Sequence, residues 1–154
     1  AGAHVAATPA DAAAEAGIVF LNLMDAAATE AVCFGPDGIA HAPGADRVVV
    51  DHSSIPPART RDIAARLHAA NGTRWVDAPV SGGTRGAAEG TLAVMAGGDA
   101  ADVERIRPCV MAMARNLTHM GPLGAGQTAK LCNQIISGSL MAVIAEAVRL
   151  AQNA

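Results

Sequence analysis

Residues 47–77 read RVVVDHSSIPPARTRDIAARLHAANGTRWVD, and this stretch decides the fold. Arg47-Val48-Val49-Val50-Asp51 is an unbroken apolar run closed by a carboxylate, the pattern of a strand covered on both faces of a parallel sheet. From Pro56 to about Asn71, Ile63, Ala64 and Leu67 share one face and the arginines take the other, which is amphipathic helical spacing. Ser53 or Ser54 suits the N-cap of that helix, and Asn71-Gly72 suits its stop. Trp75-Val76-Asp77 then begins a second apolar strand. Strand, helix and strand in this order predict a βαβ unit with a right-handed crossover, and hence an α/β fold with a mostly parallel sheet.

The same alternation extends outward. Upstream, Thr8 is placed to cap a short helix running from Pro9 to about Ala16, with proline at the first helical position. Gly17 ends it, and Ile18-Val19-Phe20-Leu21-Asn22-Leu23 reads as another buried strand. Asp25 opens a helix that closes near Gly35, before the turn residues Gly35-Pro36-Asp37-Gly38. Downstream, the spacing predicts a Gly-rich loop over Pro79–Gly90, a strand over Thr91–Ala96, a helix starting at Asp99 and a strand over Asn116–Met120. From Gly124 a single helix of roughly thirty residues follows, about 45 Å long at 1.5 Å per residue. Strands of five residues have no use for a helix of that length. The expected division is therefore an α/β unit over residues 1–122, and over 123–154 a connecting helix that leads into a helical domain outside these residues.

Composition narrows the function classes. The chain has 154 residues, 51% apolar and 16% charged, so it is globular and not disordered. A net charge of -3 and an aromatic content of 2% argue against a nucleic-acid partner. Leu131 to Ala145 is the most apolar stretch, but it contains Asn133, Gln134 and two serines, and reads as a buried helix with no membrane role. Cys33, Cys109 and Cys132 lack C-x-x-C spacing and are expected to be small buried hydrophobes in a reducing compartment. With no n-region and h-region at the start, the expected location is the cytoplasm.

Ten of the eleven basic residues are arginine, and the one lysine is Lys130. Between Arg115 and Glu146 it is the only charged side chain, set among Leu131, Cys132, Ile135 and Ile136. A lone cation in apolar surroundings is costly unless it has a partner or a task. Lysine, unlike arginine, can give up its proton at accessible pH and so serve as an acid or base. Asn133, Gln134 and Ser137 lie three, four and seven residues on, so a polar stripe runs down one face of the helix toward a cavity or partner. Gly124-Ala125-Gly126 leaves backbone N–H groups that could hold an anion at the helix start. It is not a P-loop, since Leu131 follows Lys130, and no G-x-G-x-x-G occurs to cradle a dinucleotide diphosphate. A second candidate is Asp77-Ala78-Pro79-Val80-Ser81-Gly82-Gly83, just past a strand end, where the N–H groups of Ser81, Gly82 and Gly83 and the serine hydroxyl would suit a small carboxylate. His52 sits beside Asp51 at a strand end, within reach of a ligand there, but reads first as a surface or hydrogen-bonded histidine. No histidine or cysteine spacing matches a metal site.

In these segments the chain resembles the β-hydroxyacid dehydrogenase family, which includes 3-hydroxyisobutyrate dehydrogenases and 2-hydroxy-3-oxopropionate reductases. Asp77 to Gly83 resembles the family's substrate-binding segment, with Gly86-Ala87-Ala88-Glu89-Gly90-Thr91-Leu92 its continuation. Gly124 to Asn133 resembles its catalytic signature. The resemblance implies a partial Rossmann-type dinucleotide-binding domain over 1–122, a long interdomain helix from 123, and a helical domain that completes the site and a homo-oligomer. It implies Lys130 as catalytic lysine, Asn133 as its neighbour at the substrate, Ser81, Gly82 and Gly83 at the substrate carboxylate, and Leu23, Met24 and Ser54 at the nicotinamide end of NAD or NADP. The family usually has Leu-Pro where this chain has Leu23-Met24. The family's first βαβ unit with its Gly-rich fingerprint, and the residue that selects NAD or NADP, are not among these residues, so the chain is expected to be a fragment. The implied reaction interconverts a small 3-hydroxy acid and its semialdehyde, with Lys130 moving the hydroxyl proton. Asp51-His52-Ser53-Ser54-Ile55 and Asn133-Gln134-Ile135-Ile136 lean toward 2-hydroxy-3-oxopropionate, with 3-hydroxyisobutyrate as the alternative. A non-catalytic remnant that binds a small acid or packs into an oligomer is the alternative of another class.

Overall fold

The computed structural model describes residues 2–44 and 46–154. Helix α1 (Pro9–Ala14) is followed by strand β1 (Ile18–Leu21), helix α2 (Ala26–Phe34), a 3₁₀ turn at Ile39–His41, strand β2 (Val48–Asp51) and helix α3 (Pro57–Asn71). Then come β3 (Arg74–Asp77), β4 (Val80–Ser81), α4 (Gly83–Glu89), β5 (Leu92–Gly97), α5 (Ala100–Val110), β6 (Ala114–Gly121) and α6 (Ala125–Asn153).

Local chemistry fixes most helix starts. The Thr8 hydroxyl accepts the Asp11 N–H at 3.0 Å, Asp25 accepts that of Ala28 at 2.8 Å, and Asp99 accepts that of Ala101 at 2.8 Å. Helix α3 differs from the expectation. Its cap is Pro56, without a side-chain hydrogen bond, because the Ser53 hydroxyl instead accepts the backbone N–H of Leu23 at 2.9 Å. Gly72, at φ 80°, ends α3 in the left-handed conformation.

Strands β1, β2 and β3 run parallel, with Leu21, Asp51 and Asp77 level at their carboxyl ends. Strand β5 is antiparallel to its neighbours β3 and β4, and β6 pairs parallel to β5 on the other side. The segment expected to be a Gly-rich loop thus holds a strand and a helix. Strand β4 continues the line of β3 after Ala78-Pro79, so that Asp77 faces Gly97 and Val80 faces Val94. The helix between, α4, returns the chain so that β5 runs backward, which the βαβ reading did not foresee.

The two-residue period of the strands divides the core. Val48, Val50, Val76 and Val94 pack on one face under Val103, Ile106 and Val110 of α5. Leu21, Val49 and Trp75 pack on the other against Cys33 of α2 and Ile63 and Leu67 of α3. Helix α6 meets the sheet only in its first turns, where Gly126 and Gln127 are buried. Beyond them Ile135, Ile136, Leu140, Met141, Val143 and Ile144 are all more than half exposed. The stretch expected to be a buried helix is therefore a helix whose apolar side lies open. Among the described residues it is the one helix long and apolar enough to cross a membrane by length and composition. Its first turns, however, are docked on the sheet and carry the charged Lys130. The cysteines divide as well. Cys33 is buried, its thiol pushed up to about 12 chiefly by burial, whereas Cys109 and Cys132 are exposed and not the buried hydrophobes expected.

Candidate active site

The carboxyl ends of β1, β2 and β3 and the first turns of α6 converge on one edge of the sheet, the place where open α/β sheets take ligands. The join is made by Asp77. Its buried carboxylate accepts the backbone N–H of Gly124 at 2.7 Å and that of Gln127 at 2.8 Å, and so caps α6 from 47 residues away in sequence. The sequence had suggested that Gly124 to Gly126 leave N–H groups free for an anion. The carboxylate of Asp77 already occupies that position. Burial pushes the Asp77 carboxyl upward, and the N–H groups of Gly124 and Gln127 pull it back. Close approach of helix to sheet needs the glycines, since a Cβ on Gly97 would stand 2.6 Å from an Asp77 oxygen, and one on Gly126 would stand 2.8 Å from the Asp77 carbonyl.

Held this way, α6 sends Lys130 over β4, where Nζ donates to the Val80 carbonyl at 2.7 Å. Lys130 is half-buried and has a backbone partner, a milder setting than the apolar one its sequence neighbours implied. It lines a cavity of about 510 Å³ together with Asn133, Gln134 and Ser137 from α6 and Ser81, Gly82, Gly83 and Thr84 from the segment opposite. The whole polar stripe of α6 thus faces a single space. Gly82 and Gly83 adopt φ of 132° and 61°, conformations open to glycine at little cost, and these bend the chain from β4 into α4 along the cavity wall. Val80 and Ser81 pair with Val94 and Ala93 in the sheet, so the turn begins at Gly82 and not at Pro79, where the sequence had placed the start of the loop.

Asn22 also lines this cavity, and neither it nor Thr84 stood out in the sequence. A polar residue ending an apolar strand was the available signal for Asn22, the same one that drew notice to Asp51. Leu23, Met24 and Ser54 lie outside the cavity. They form a rim at the carboxyl ends of β1 and β2, drawn together by the bond from Leu23 N–H to the Ser53 hydroxyl. Ser54 is exposed, and Met24 is 94% exposed. Asn22 connects this rim to the cavity.

Beneath the rim lie two buried polar groups. Asp51 accepts the Ser53 N–H at 2.9 Å through one oxygen, while its other oxygen is buried with no partner among the described residues. Burial, with the neighbouring Asp77 charge adding to it, pushes the Asp51 carboxyl up to about 6 against the pull of the Ser53 hydrogen bonds. His52 stacks on Phe20 at 5.6 Å, and its Nδ1 lies 2.6 Å from the Ala78 carbonyl. A carbonyl can only accept, so Nδ1 carries the proton, and burial holds the ring below its ordinary pKa.

Residues 1–121 match the family described as the NAD binding domain of 6-phosphogluconate dehydrogenase. The chain belongs to this NAD-binding family. It is 40% identical over 137 residues to 2-hydroxy-3-oxopropionate reductase of Escherichia coli, a match covering 89% of this chain and 47% of that protein. It is 45% identical over 152 residues to the NAD-dependent L-serine dehydrogenase of Pseudomonas aeruginosa, covering 97% and 50%. Among solved structures, 3-hydroxyisobutyrate dehydrogenase of Mycobacterium tuberculosis with L-serine superposes at a TM-score of 0.85 and 38% identity, over 94% of this chain and 48% of that one. The chain spans about half the length of the curated relatives it matches. At the carboxyl ends of β1 and β2 the Met24 side chain and Ser54 lie exposed. Nothing among the described residues has the glycine-rich turn that would hold the diphosphate.

Proposed function

We propose that the chain carries the proton-transfer and substrate-binding elements of an NAD(P)-dependent β-hydroxyacid dehydrogenase, an oxidoreductase that interconverts a small 3-hydroxy acid and its semialdehyde. The observation that supports this most is the placement of the chain's one lysine, with Asn133, in a cavity opposite Ser81, Gly82 and Gly83. In this reading the substrate carboxylate lies against the Ser81 hydroxyl and the Gly82–Gly83 turn. Its hydroxyl meets Lys130, and Asn133, one turn further along α6, holds the pair in line. Lys130 takes the hydroxyl proton when the alcohol is oxidised and returns it when the aldehyde is reduced. Its bond to the Val80 carbonyl fixes the direction in which Nζ faces. The bound nicotinamide accepts or supplies the hydride, and Leu23, Met24 and Ser54 border it. Residues 1–122 then belong to the dinucleotide-binding domain, and 123–154 open a helical domain. The exposed free thiols of Cys109 and Cys132 suit the reducing cytoplasm.

The substrates named for the relatives share a common frame, a primary alcohol or aldehyde next to a carbon that bears the carboxylate and one further group. Asn22, Thr84, Gln134 and Ser137 offer partners for a hydroxyl in that further position, beside the apolar Val80, Ala87 and Leu92, and these partners are what supports 2-hydroxy-3-oxopropionate ahead of 3-hydroxyisobutyrate as substrate. The open apolar side of α6 favours a second role, assembly with another copy of the chain through the helical segment.

The test is oxidation of NADH and NADPH by the purified protein with 2-hydroxy-3-oxopropionate and with methylmalonate semialdehyde, alongside its intact mass. Turnover at 15.4 kDa would place the activity on these residues alone. Turnover only at a greater mass would assign it to a longer protein containing them. The reading fails if neither aldehyde is reduced by either species.

A further inference from the structure

One buried side chain of α6 is bonded to the loop after β2, next to the two parts of the proposed centre. Gln127 is 1% exposed, the only buried polar side chain of α6. Its Nε2 donates to the Ser53 carbonyl at 2.7 Å, and its Oε1 accepts the Ile55 N–H at 3.3 Å. Both ends of the amide are thus committed to the loop after β2, more than seventy residues away in sequence. On the loop side, Ser53 holds the Leu23 N–H through its hydroxyl. On the helix side, Gln127 is one turn ahead of Lys130, and its own N–H is held by Asp77.

We propose that Gln127 is a positioning residue that ties the Leu23–Ser54 rim to the part of α6 carrying Lys130, so that hydride and proton positions keep one fixed spacing. The inference rests on the dehydrogenase reading for its purpose, while the mechanical link stands on the hydrogen bonds alone. An amide bonded at both its N and its O ends between two elements resists sliding, because a shift breaks both buried bonds at once. The Asp77 carboxylate cannot do this alone. It fixes where α6 starts, whereas Gln127 fixes how the helix is turned relative to the loop.

The 154-residue chain offers a direct probe, since lysine labelled with ¹³C at Cε yields one signal, that of Lys130. The variant is Gln127→Met, similar in volume and without the amide. Its expected result is a shifted Lys130 signal, a shifted Leu23 amide, and about tenfold faster hydrogen exchange at the Ile55 amide, the size expected for one lost buried hydrogen bond. The methyls of Val110, on the far face of the sheet, should stay in place. Unmoved Lys130 and Leu23 signals in a folded variant overturn the proposal, as does a Val110 shift of equal size, which would mean general damage. If the variant does not melt cooperatively, Ser53→Ala decides in its place. It removes the hydroxyl held by Leu23 and touches no atom of α6, and a Lys130 signal that ignores it overturns the link. None of these readings requires turnover, so failure of the dehydrogenase reading and failure of the link are separately visible.

Discussion

Asp77 and Gly124, 47 residues apart, are joined by a 2.7 Å hydrogen bond from a helix N-terminal N–H to a buried carboxylate. The second oxygen takes the N–H of Gln127, so one side chain satisfies two donors that α6 cannot satisfy itself. Asp77→Asn keeps the volume but must turn an amide NH₂ toward one of these donors. The expected outcome is a loss of about 2 kcal/mol in urea unfolding, the cost of an unmet buried donor. An unchanged midpoint would mean that the helix start is held by packing alone.

The burial of the Asp51 carboxyl makes stability depend on pH. Its carboxyl titrates near 6 in the folded chain against an ordinary value of 3.8. The folded state therefore binds the proton more tightly than the unfolded state does. Below about pH 4 both states are protonated and no penalty arises. As pH rises from 4 through 6 the unfolded chain ionises first and stability falls, by about 3 kcal/mol in full. Asp77, also raised by burial, contributes in the same direction, so the diagnostic quantity is the difference from Asp51→Asn. Urea midpoints of the native chain should decline between pH 4 and 7 relative to that variant. Parallel curves would sink the assignment.

Features set by neighbours in sequence were legible in it, and those set by distant residues were not. Thr8, Asp25 and Asp99 announce helix starts because a cap needs only the next three residues. Val48, Val49 and Val50 announce a strand covered on both faces for the same local reason. The polar stripe of Lys130, Asn133, Gln134 and Ser137 was readable from helical spacing, and its cavity from the strand-end position of Ser81 to Gly83. By contrast, glycines 82, 83, 86 and 90 made α4 look like loop, since propensity sees no tertiary support. The Ser53 hydroxyl was spent on Leu23, and the N–H groups of α6 on Asp77, through contacts that no local pattern encodes. The exposure of Cys132 likewise depends on what covers α6, which periodicity alone leaves open.

Two glycines of α6 should respond in opposite ways to the same change. A Cβ on Gly126 would collide with the Met95 carbonyl and stand 2.8 Å from that of Asp77, both backbone atoms that cannot turn aside. Gly126→Ala should lift the helix off the sheet and cost about 3 kcal/mol or more by thermal melting. At Gly138 an added Cβ meets nothing within 4 Å, so Gly138→Ala should only add helix propensity, about 1 kcal/mol. That gain belongs to the exposed part of α6, and circular dichroism should register it as increased helix content. Equal effects at the two positions would contradict the docking of the first turns.

Lys130 carries the chemistry in the proposed reaction, and its replacements separate charge from proton transfer. Lys130→Ala removes the acid or base and should lower turnover by roughly 10² to 10⁴, with the fold retained because Asp77 and Gln127 still hold the helix. Lys130→Arg keeps the charge and can still reach a backbone carbonyl such as that of Val80. A guanidinium does not give up its proton at accessible pH, so arginine should restore substrate binding without restoring turnover. Steady-state kinetics with 2-hydroxy-3-oxopropionate would show this as a recovered KM beside a kcat as low as that of the alanine variant. An arginine variant that turns over as the native protein does would leave Lys130 as a point charge for binding and place the proton donor elsewhere in the cavity.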